Sequence, residues 1–577
     1  MVIELSPKPQ ETMAWEVKAR LKREDRDNAV QAWGLNTAGL VQAGRTNVKY
    51  LPLESELLTD EQINITETIP SLILRNIAKR TWTAEQVLRA FIARTVIAHE
   101  LVNPLAEVLF ESGLTRAREL DEILRATGRV VGPLHGLPIS LKDVLHMTGV
   151  ESTLGYVAWI GQLQPKNDSL VDFLSEAGAV FYCKTNVPQT LMSGECVNFI
   201  FGRTSTPWNT SLSAGGSSGG EGALVSLGGS PLGVGTDIAG SIRTPANFNG
   251  IYGLCPTTGR LPLHRADRTA GDSLIKGVAG PMSRTLDGLE LYTKTILSME
   301  PWMKDHQILR IPWSDSLYHE GLGSKHKLCF GFMAHDNVVL PNPPILRCMQ
   351  DVRHALVKAG HQVIDIRPFD GVEFLKLALR ILHATGGNEV REIIASSGEP
   401  LIKEFALPSS DKALTVSEYK ECSKELDIIR QKYLDLVLDT ARLTKSGKPI
   451  DAIILPSGGT VAPPHGTMEY LTYEAISNVL DWTCATIPVG FVNPRLDRKP
   501  TQFTPLSDYD LRNFETCENS YALSGHINAN DGLDSPERYQ DAPVCLQLMG
   551  LRHSEEKVLG LLRTIDRALG RTDDYKA

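Results

Sequence analysis

The segment Gly215–Gly250, GGSSGGEGALVSLGGSPLGVGTDIAGSIRTPANFNG, constrains the fold of this chain more than any other stretch. Glycine and serine crowd its start, where the backbone must bend sharply or approach another group closely. Apolar residues recur between the glycines, which indicates a packed segment rather than a flexible linker. Ser218 and Glu221 have the spacing of a helix capping box ahead of the first apolar run.

The same segment predicts a short order of elements. We expect a helix over Ala223–Leu227, stopped by the glycine pair that follows, and a strand over Pro231–Thr236. A tight loop over Asp237–Ser241 then follows. Because helix, strand and loop can fold back on one another, Ser217 and Ser241 are expected to meet in space.

Four other kinds of site fit the residues poorly. The phosphate-loop pattern GxxxxGK[ST] is absent, and GVG at Gly233–Gly235 lacks the third glycine of a dinucleotide-binding motif. Ser241 stands in AGSIR rather than in the GxSxG of a nucleophile elbow. The SxxK matches at Ser273–Lys276 and Ser417–Lys420 lack the accompanying β-lactamase motifs. HExxH is absent and the histidines show no ligand spacing, so no metal and no cofactor are expected.

Composition excludes several classes of protein. The formal net charge is -9 and no long basic run occurs, so a nucleic-acid partner has no electrostatic support. The nine cysteines include no CxxC pair, which favours free thiols in a reducing compartment. The N-terminus lacks a signal-peptide pattern, and no apolar run of about 18 residues predicts a membrane anchor. We therefore expect a cytoplasmic protein.

Short apolar runs alternate with helical patterns along most of the chain, which favours an α/β fold around a buried sheet. The predicted strands are Ile139–Lys142, Val180–Lys184, Gly233–Thr236, Leu328–Phe332, Gln362–Ile366, Ala452–Leu455 and Val544–Leu548. The predicted helices are Thr12–Arg26, one within Asp60–Ala78, two within Ser71–Arg94, Thr115–Thr127 and Ser554–Leu569. Residues 1–70 are interpreted as a helical N-terminal region and 71–577 as the catalytic domain. Asp497–Ala542 is predicted to be a polar surface excursion.

Two blocks, GPLHGLPISLKD at Gly132–Asp143 and the segment Gly215–Gly250, together resemble the lysine motif and the signature block of the amidase signature family. They stand in the expected order and at the expected separation. The stretches KTNVPQTLM, TPWNTSLSAGG, GPMSRTLDGLELYTK and APVCLQLMG extend the resemblance, which runs from about Trp15 to the C-terminal helix. Within the family the chain is most similar to fungal acetamidases, and its signature also resembles fatty-acid amide hydrolases. The resemblance implies a large mixed central β-sheet flanked by helices.

The resemblance also implies a Ser-Ser-Lys triad without a cofactor. Ser241 matches the nucleophile, Ser217 the bridging serine that carries a cis peptide bond, and Lys142 the base. The N–H groups that match the oxyanion hole are those of Ile238, Ala239, Gly240 and Ser241. Ser218 is expected beside the substrate, where it supports this loop together with Asp237 and Arg243, the latter as an ion pair.

Lys142 can act as a base only when its amine is neutral. Lowering its pKa from about 10.4 to near 7 requires about 4–5 kcal/mol of differential destabilisation of the ammonium form. Burial can supply a shift of roughly 3–5 units, and the residues around Lys142 are apolar. A carboxylate partner would keep the ammonium charged. Successive side chains of a strand point to opposite faces, so we predict that Asp143 faces away and is structural.

The chain departs from the common family pattern at residue 239, two positions before Ser241. The family commonly has Gly-Gly-Ser there, whereas this chain has Ala239-Gly240-Ser241. If position 239 needs a positive φ, alanine is disfavoured; if it does not, the methyl narrows the acyl pocket. We expect Leu191, Met192 and Ser193, with the loop Pro456–His465, to line that pocket.

The sequence thus predicts an amidohydrolase acting on linear carboxylic acid amides through an acyl-enzyme, with a small-molecule substrate. A short aliphatic amide is the first expectation for the acyl group. An amidase or esterase acting on a larger natural product or a fatty-acyl substrate is an alternative. An amidotransferase subunit with a protein partner is another, and a homodimer is also left open.

Overall fold

The computed structural model describes residues 14–41, 44–263, 273–323, 326–403, 405, 407–468, 470–498, 500, 502–519 and 536–571. Within them, eleven strands form one mixed sheet in the order β1-β3-β2-β6-β8-β7-β12-β13-β11-β9-β10. The strands are β1 Leu105–Val108, β2 Pro138–Lys142, β3 Val180–Thr185, β6 Gly233–Asp237, β7 Tyr252–Cys255, β8 Val278–Ser283, β9 Cys329–Phe332, β10 Gln362–Asp365, β11 Ala452–Pro456, β12 Cys484–Phe491 and β13 Pro543–Met549. A separate antiparallel hairpin joins β4 Val197–Asn198 to β5 Gly202–Arg203.

The helices fall before, between and after these strands. They are α1 Trp15–Gln31, α2 Leu51–Glu54, α3 Asp60–Glu67, α4 Pro70–Ala78, α5 Ala84–Val102, α6 Phe110–Thr127, α7 Ser169–Glu176, α8 Gly219–Ser226, α9 Arg243–Asn249, α10 Leu286–Ser298, α11 Asp315–Gly321, α12 Pro343–Lys358, α13 Gly371–Leu382, α14 Asn388–Ser397, α15 Val416–Asp439, α16 Thr472–Leu480, α17 Asp508–Asn519 and α18 Glu555–Ala568. Thr83 caps α5 by a reciprocal pair of hydrogen bonds with Gln86. None of the described helices is long and apolar enough to span a bilayer.

Helices cover both faces of the sheet, and strand β11 illustrates this arrangement. Ile454 packs into a cluster with apolar residues of α12 and α18. Its neighbours Ile453 and Leu455 point the other way, into a cluster with α13 and α15. Successive side chains of a strand alternate between faces, so a strand buried on both sides carries a continuous apolar run. The α/β architecture with a mixed central sheet is therefore confirmed.

Parallel pairing brings the carboxyl ends of three strands to one edge. β2 runs parallel to β3 on one side and to β6 on the other. Lys142 ends β2, Thr185 ends β3 and Asp237 ends β6. Crevices at the carboxyl ends of parallel strands are common binding sites.

All seven predicted strands are present, with ends that differ by no more than one residue. The prediction missed β1, β7, β8 and β12. β8 contains Gly280 and Pro281, and β12 contains Pro488, which are residues that weaken a strand assignment from sequence. The stretch predicted as a surface excursion, Asp497–Ala542, contains helix α17, while residues 520–535 lie outside the described part of the chain.

The N-terminal helices pack on the sheet. Helix α1 begins at Trp15, and the first residues of its predicted range, 12–13, lie outside the described residues. Lys22 of α1 reaches Glu107 of β1, with 2.7 Å between Nζ and Oε1. Helix α3 packs against α5. The domain boundary at residue 70 stays a prediction.

The described cysteines are unpaired and buried. They are Cys183, Cys196, Cys255, Cys329, Cys348, Cys422, Cys484 and Cys545. Burial raises the pKa of the Cys255 thiol, as it does for Cys183. A buried thiol with a raised pKa is a poor nucleophile, so these side chains act as small apolar groups.

Candidate active site

Lys142 lies at the carboxyl end of β2 with its side chain fully buried. Its Nζ donates to Ser217 Oγ at 2.7 Å, to Thr236 Oγ1 at 2.8 Å and to the Thr236 carbonyl oxygen at 3.3 Å. The distance to Ser217 is within hydrogen-bond reach, which the predicted proton relay requires. Thr236, near the end of β6, was not among the predicted site residues.

The peptide bond between Gly216 and Ser217 is cis, as the resemblance implied. Gly216 lies against the carbonyl oxygen of Ser193, which is 2.3 Å from the place a Cβ would occupy. No side chain fits there, so the glycine is required. Ser217 is 2% exposed, which leaves its hydroxyl directed at Lys142 rather than at solvent.

The predicted capping box at Ser218 and Glu221 is wrong, because the side chain of Ser218 makes no capping hydrogen bond to α8. Ser218 Oγ instead joins both the N–H and the carbonyl of Thr236, each at 3.4 Å. This contact supports β6, and the predicted place of Ser218 beside the substrate stays a prediction. Glu221 accepts from Ser140 Oγ at 2.6 Å and from Thr185 Oγ1 at 3.0 Å. Burial raises the pKa of Glu221 to about 8 despite these donors.

The nucleophile loop, Asp237–Ser241, lies next to residues Gly215–Ser218, which we call the Gly-Ser turn. The N–H of Ser218 donates to the carbonyl oxygen of Ser241 at 3.1 Å. Ser241 is partly exposed, whereas Ser217 is buried. Among the described residues no hydrogen bond joins the two hydroxyls. Catalytic contacts often tighten only when a substrate is bound.

Within the nucleophile loop the donors are not equivalent. The N–H of Gly240 donates to Asp237 Oδ1 at 2.8 Å and is thus already engaged, while its role as an oxyanion donor stays a prediction. The N–H groups of Ile238, Ala239 and Ser241 make no hydrogen bond to any described residue. Gly240 has φ +114°, whereas Ala239 is not among the residues with positive φ. Alanine at 239 is therefore compatible with the backbone, and its methyl is the remaining difference from Gly-Gly-Ser.

Asp237 and Arg243 form a fully buried ion pair that fixes this loop. Arg243 donates from Nε to Asp237 Oδ2 at 3.1 Å and from Nη2 to Oδ1 at 3.0 Å. Two further donations, each 2.6 Å long, go to Gln547 of β13 and Asn478 of α16. Burial alone would raise the pKa of Asp237, but Arg243 and the N–H of Gly240 bring it down to about 2. The prediction of a structural ion pair is confirmed.

Asp143 is engaged on the far side of β2 from the loop. Its Oδ1 lies 3.1 Å from Lys184 Nζ, and both side chains are fully buried. Its Oδ2 accepts from Thr153 N–H and Oγ1 at 2.9 Å and from Leu154 N–H at 3.1 Å. The carboxylate is thus held by Lys184 and a neighbouring turn, which confirms the structural role predicted for it.

The predicted pocket residues lie on a turn over the Gly-Ser segment. Leu191 has φ +63° and packs its partly buried side chain on the apolar cluster beneath β2. The N–H of Met192 donates to Thr190 Oγ1 at 3.1 Å, and its side chain is partly exposed. Ser193 Oγ accepts from the N–H of Glu195 at 3.1 Å. We call Thr190–Glu195 the pocket loop.

A buried acid joins the pocket loop to the loop Pro456–His465. Glu195 Oε1 lies 2.6 Å from His465 Nδ1, and Oε2 accepts from the N–H of Gly466 at 2.6 Å. Burial would raise the pKa of Glu195, but the hydrogen bond from His465 and the charge of Arg203 lower it. The two loops predicted to line the pocket are thereby held together.

Three comparisons with known proteins agree with this geometry. A family model described as Amidase matches residues 86–559. The acetamidase of Emericella nidulans is 37% identical over 570 residues, which cover 98% of this chain and 99% of that protein. The acetamidase of Aspergillus oryzae is 37% identical over 526 residues, covering 90% and 93%. A solved fatty acid amide hydrolase superposes with a TM-score of 0.87 at 31% identity, covering 97% of this chain and 96% of that one.

Proposed function

The chain belongs to the amidase signature family and is an amidase, and we propose that it hydrolyses short carboxylic acid amides through an acyl-enzyme on Ser241. The observation that carries this proposal is the buried hydrogen bond from Lys142 Nζ to Ser217 Oγ beside the nucleophile loop. No cofactor takes part in the proposed reaction.

In the first half of the reaction, neutral Lys142 accepts a proton from Ser217, and Ser217 accepts the proton of Ser241. The Ser241 oxygen attacks the amide carbonyl and forms a tetrahedral anion. The N–H groups of Ile238, Ala239 and Ser241 donate to that anion, which is where most catalytic stabilisation usually arises. The proton returns through Ser217 to the nitrogen as the carbon–nitrogen bond breaks, releasing ammonia or an amine.

In the second half, water loses a proton through the same relay and attacks the acyl-enzyme. The products are the carboxylic acid, which ionises, and free Ser241. Splitting the hydrolysis into two steps avoids direct attack of water on a resonance-stabilised amide.

A short acyl group is supported by the relatives named above. Two fungal acetamidases are 37% identical to this chain, whereas the fatty acid amide hydrolase is 31% identical. The proposed substrates are therefore small aliphatic amides such as acetamide.

The test is ammonia release from acetamide, propionamide, hexanamide and benzamide by wild type and by three variants. We expect Ser241→Ala to lower kcat by about 10⁴-fold or more, since no other group forms the acyl-enzyme. Lys142→Met and Ser217→Ala should each lower it by about 10²–10⁴-fold. Ser218→Ala is the matched control for Ser217→Ala. Ser218 is the next residue in the chain, and among the described residues its hydroxyl forms hydrogen bonds only with Thr236.

We expect Ser218→Ala to keep at least about a tenth of the wild-type kcat, because it loses only two long structural hydrogen bonds to Thr236. Full activity of Ser241→Ala would refute the mechanism. A wild type that prefers benzamide or hexanamide over acetamide would refute the substrate class while leaving the mechanism intact.

A further inference from the structure

Besides Asp237, the buried carboxyl group of Glu474 also lies directly against the nucleophile loop. It belongs to α16 and is fully buried. A Cβ built on Gly240 would stand 2.5 Å from Glu474 Cβ and 3.0 Å from its Cγ. Thr244 Oγ1 donates to Glu474 Oε1 at 3.5 Å. The stem of Glu474 is therefore in close contact with the loop residue that precedes Ser241.

The carboxyl group reaches the other side of the site as well. A Cβ built on Gly458 would stand 3.2 Å from Glu474 Oε1 and 3.8 Å from Asn247 Nδ2. Gly458 belongs to the loop predicted to line the pocket. Glu474 Oε2, Asn247 Nδ2 and the nearby Ser457 Oγ are buried and make no hydrogen bond to a described residue. Glu474 thus lies between the nucleophile loop and this pocket-lining loop.

Among the described residues, Arg243 is the cation that acts on Glu474. Its guanidinium is already engaged, with Nε and Nη2 donating to Asp237 and Nη1 donating to Gln547. Asp336 is a further acid near Glu474 and accepts from Tyr470 at 2.6 Å. Burial raises the pKa of Glu474 to about 8, so the group is a neutral acid at pH 7.

Several charged and titratable groups on the elements around Glu474 are engaged elsewhere. Tyr473 donates to the carbonyl of Val339. Helices α13 and α15 pack against the apolar face of α16, and three of their cations pair with a carboxylate or a carbonyl oxygen. These pairs are Arg380 with Glu425, Lys432 with Glu373, and Arg430 with the carbonyl of Val479.

We propose that Glu474 is a positioning residue for the hydrolysis: it holds Gly240, and through it the N–H groups of Ala239 and Ser241. This inference rests on the proposed function of the same site. An ionised Glu474 would put a negative charge beside the position of the tetrahedral anion, and Arg243, already paired with Asp237, could not compensate it. The loop donors would then stabilise the anion less well, and kcat would fall while substrate binding changed little.

The decisive variant is Glu474→Gln, which keeps the shape and stays uncharged at every pH. Lys142 must be neutral in both proteins, so its own pH dependence cancels in the ratio of variant to wild-type kcat on acetamide. We expect that ratio to rise about tenfold between pH 7 and pH 9, since the wild type loses its neutral Glu474 above pH 8. Glu107→Gln is the matched control, because burial also raises the pKa of Glu107, to about 7, on β1 at the edge of the sheet. Its ratio should stay flat.

Glu474→Asp tests the contact rather than the charge. The acid remains but withdraws from Gly240 and Thr244, so we expect kcat at pH 7 to fall about tenfold while KM changes less than about twofold. Thermal unfolding of each variant separates this loss from a loss of folded protein. A flat Glu474→Gln ratio, or wild-type kcat in Glu474→Asp, would overturn the proposal.

The two proposals fail differently. If the wild type releases no ammonia from any amide, the proposed function fails. The pH dependence of Ser241 phosphonylation by a fluorophosphonate, in which fluoride leaves, is then measured in the same three variants and tests Glu474 on its own. If wild type hydrolyses acetamide but the ratio is flat, only the role of Glu474 fails.

Discussion

The nucleophile loop and the pocket loop lie on either side of the Gly-Ser turn, yet they are fixed in different ways. Asp237, at the start of the nucleophile loop, is fully buried and bound by Arg243, which itself reaches β13 and α16. The pocket loop is tied by Glu195 to His465, whose side chain is 24% exposed. The nucleophile loop is thus held by fully buried contacts, while Leu191 and Met192, which are predicted to meet an acyl group, lie nearer to solvent.

This difference predicts different outcomes for substitutions in the two regions. Asp237 and Arg243 are fully buried and bound to several elements, so changes there should lower stability. The partly exposed residues Leu191 and Met192 of the pocket loop should change with less effect on the rest of the molecule. Substitutions on the two sides should therefore affect stability and specificity separately.

The largest effect is expected from Arg243→Ala, which removes the cation from a fully buried pair. Breaking such a pair costs about 3–5 kcal/mol of the free energy of unfolding, because Asp237 stays buried and unpaired. Urea unfolding measures the loss. The control is Arg380→Ala, whose pair with Glu425 is 40% and 45% exposed and should cost less than about 1 kcal/mol. Equal losses in both variants would show that the ion pair does not fix the loop.

A smaller effect is expected from Gly240→Ala. The added Cβ would stand 2.5 Å from Glu474 Cβ on a backbone with φ +114°, so the loop must shift. A shift of the loop would move the N–H groups of Ala239 and Ser241, and the loss of one aligned oxyanion donor lowers kcat by about 10²–10³-fold. The adjacent change Ala239→Gly is the control and should stay within about threefold, because residue 239 has no positive φ. Similar losses at both positions, measured as ammonia release, would contradict this account of the loop.

The smallest effect is expected on the pocket side, from Met192→Ala. Removing a partly exposed side chain should enlarge the acyl site and leave the loop in place. We expect the ratio of kcat/KM for hexanamide to that for acetamide to rise about threefold to tenfold, with the free energy of unfolding unchanged. Met303→Ala, at a methionine that is 70% exposed, should leave the ratio as it is. A loss of stability in Met192→Ala would remove the contrast between the two loops.

The parts of the fold that depend on local pattern could be predicted from the sequence. The apolar runs of β2, β3, β6 and β11 were predicted as strands from the sequence, because central strands are buried on both faces. Strands β8 and β12, each with a proline in its interior, were missed. Their pairing is fixed by neighbours distant in sequence rather than by their own residues.

The residues of the candidate site also divide into those that the sequence predicts and those that it does not. Lys142, Ser217 and Ser241 are marked by two sequence blocks, and the role of Asp143 followed from strand alternation. The contact of Thr244 with Glu474 joins residues 230 positions apart, and nothing in a single sequence marks such a pair. The donation of Gly240 to Asp237 depends on the shape of the loop, which composition does not determine. Thr236 could have been found, since it stands near the end of the strand that carries the loop.

Five buried cysteines mark five different strands of the sheet: Cys183 on β3, Cys255 on β7, Cys329 on β9, Cys484 on β12 and Cys545 on β13. A maleimide can reach such a sulfur only while the packing around it is open. The labelling rate of each thiol therefore measures the opening free energy of its own strand. Because these strands stand second, sixth, seventh, eighth and tenth in the order of the eleven-stranded sheet, the native sequence already carries reporters near both edges and in the middle of how cooperatively the sheet unfolds.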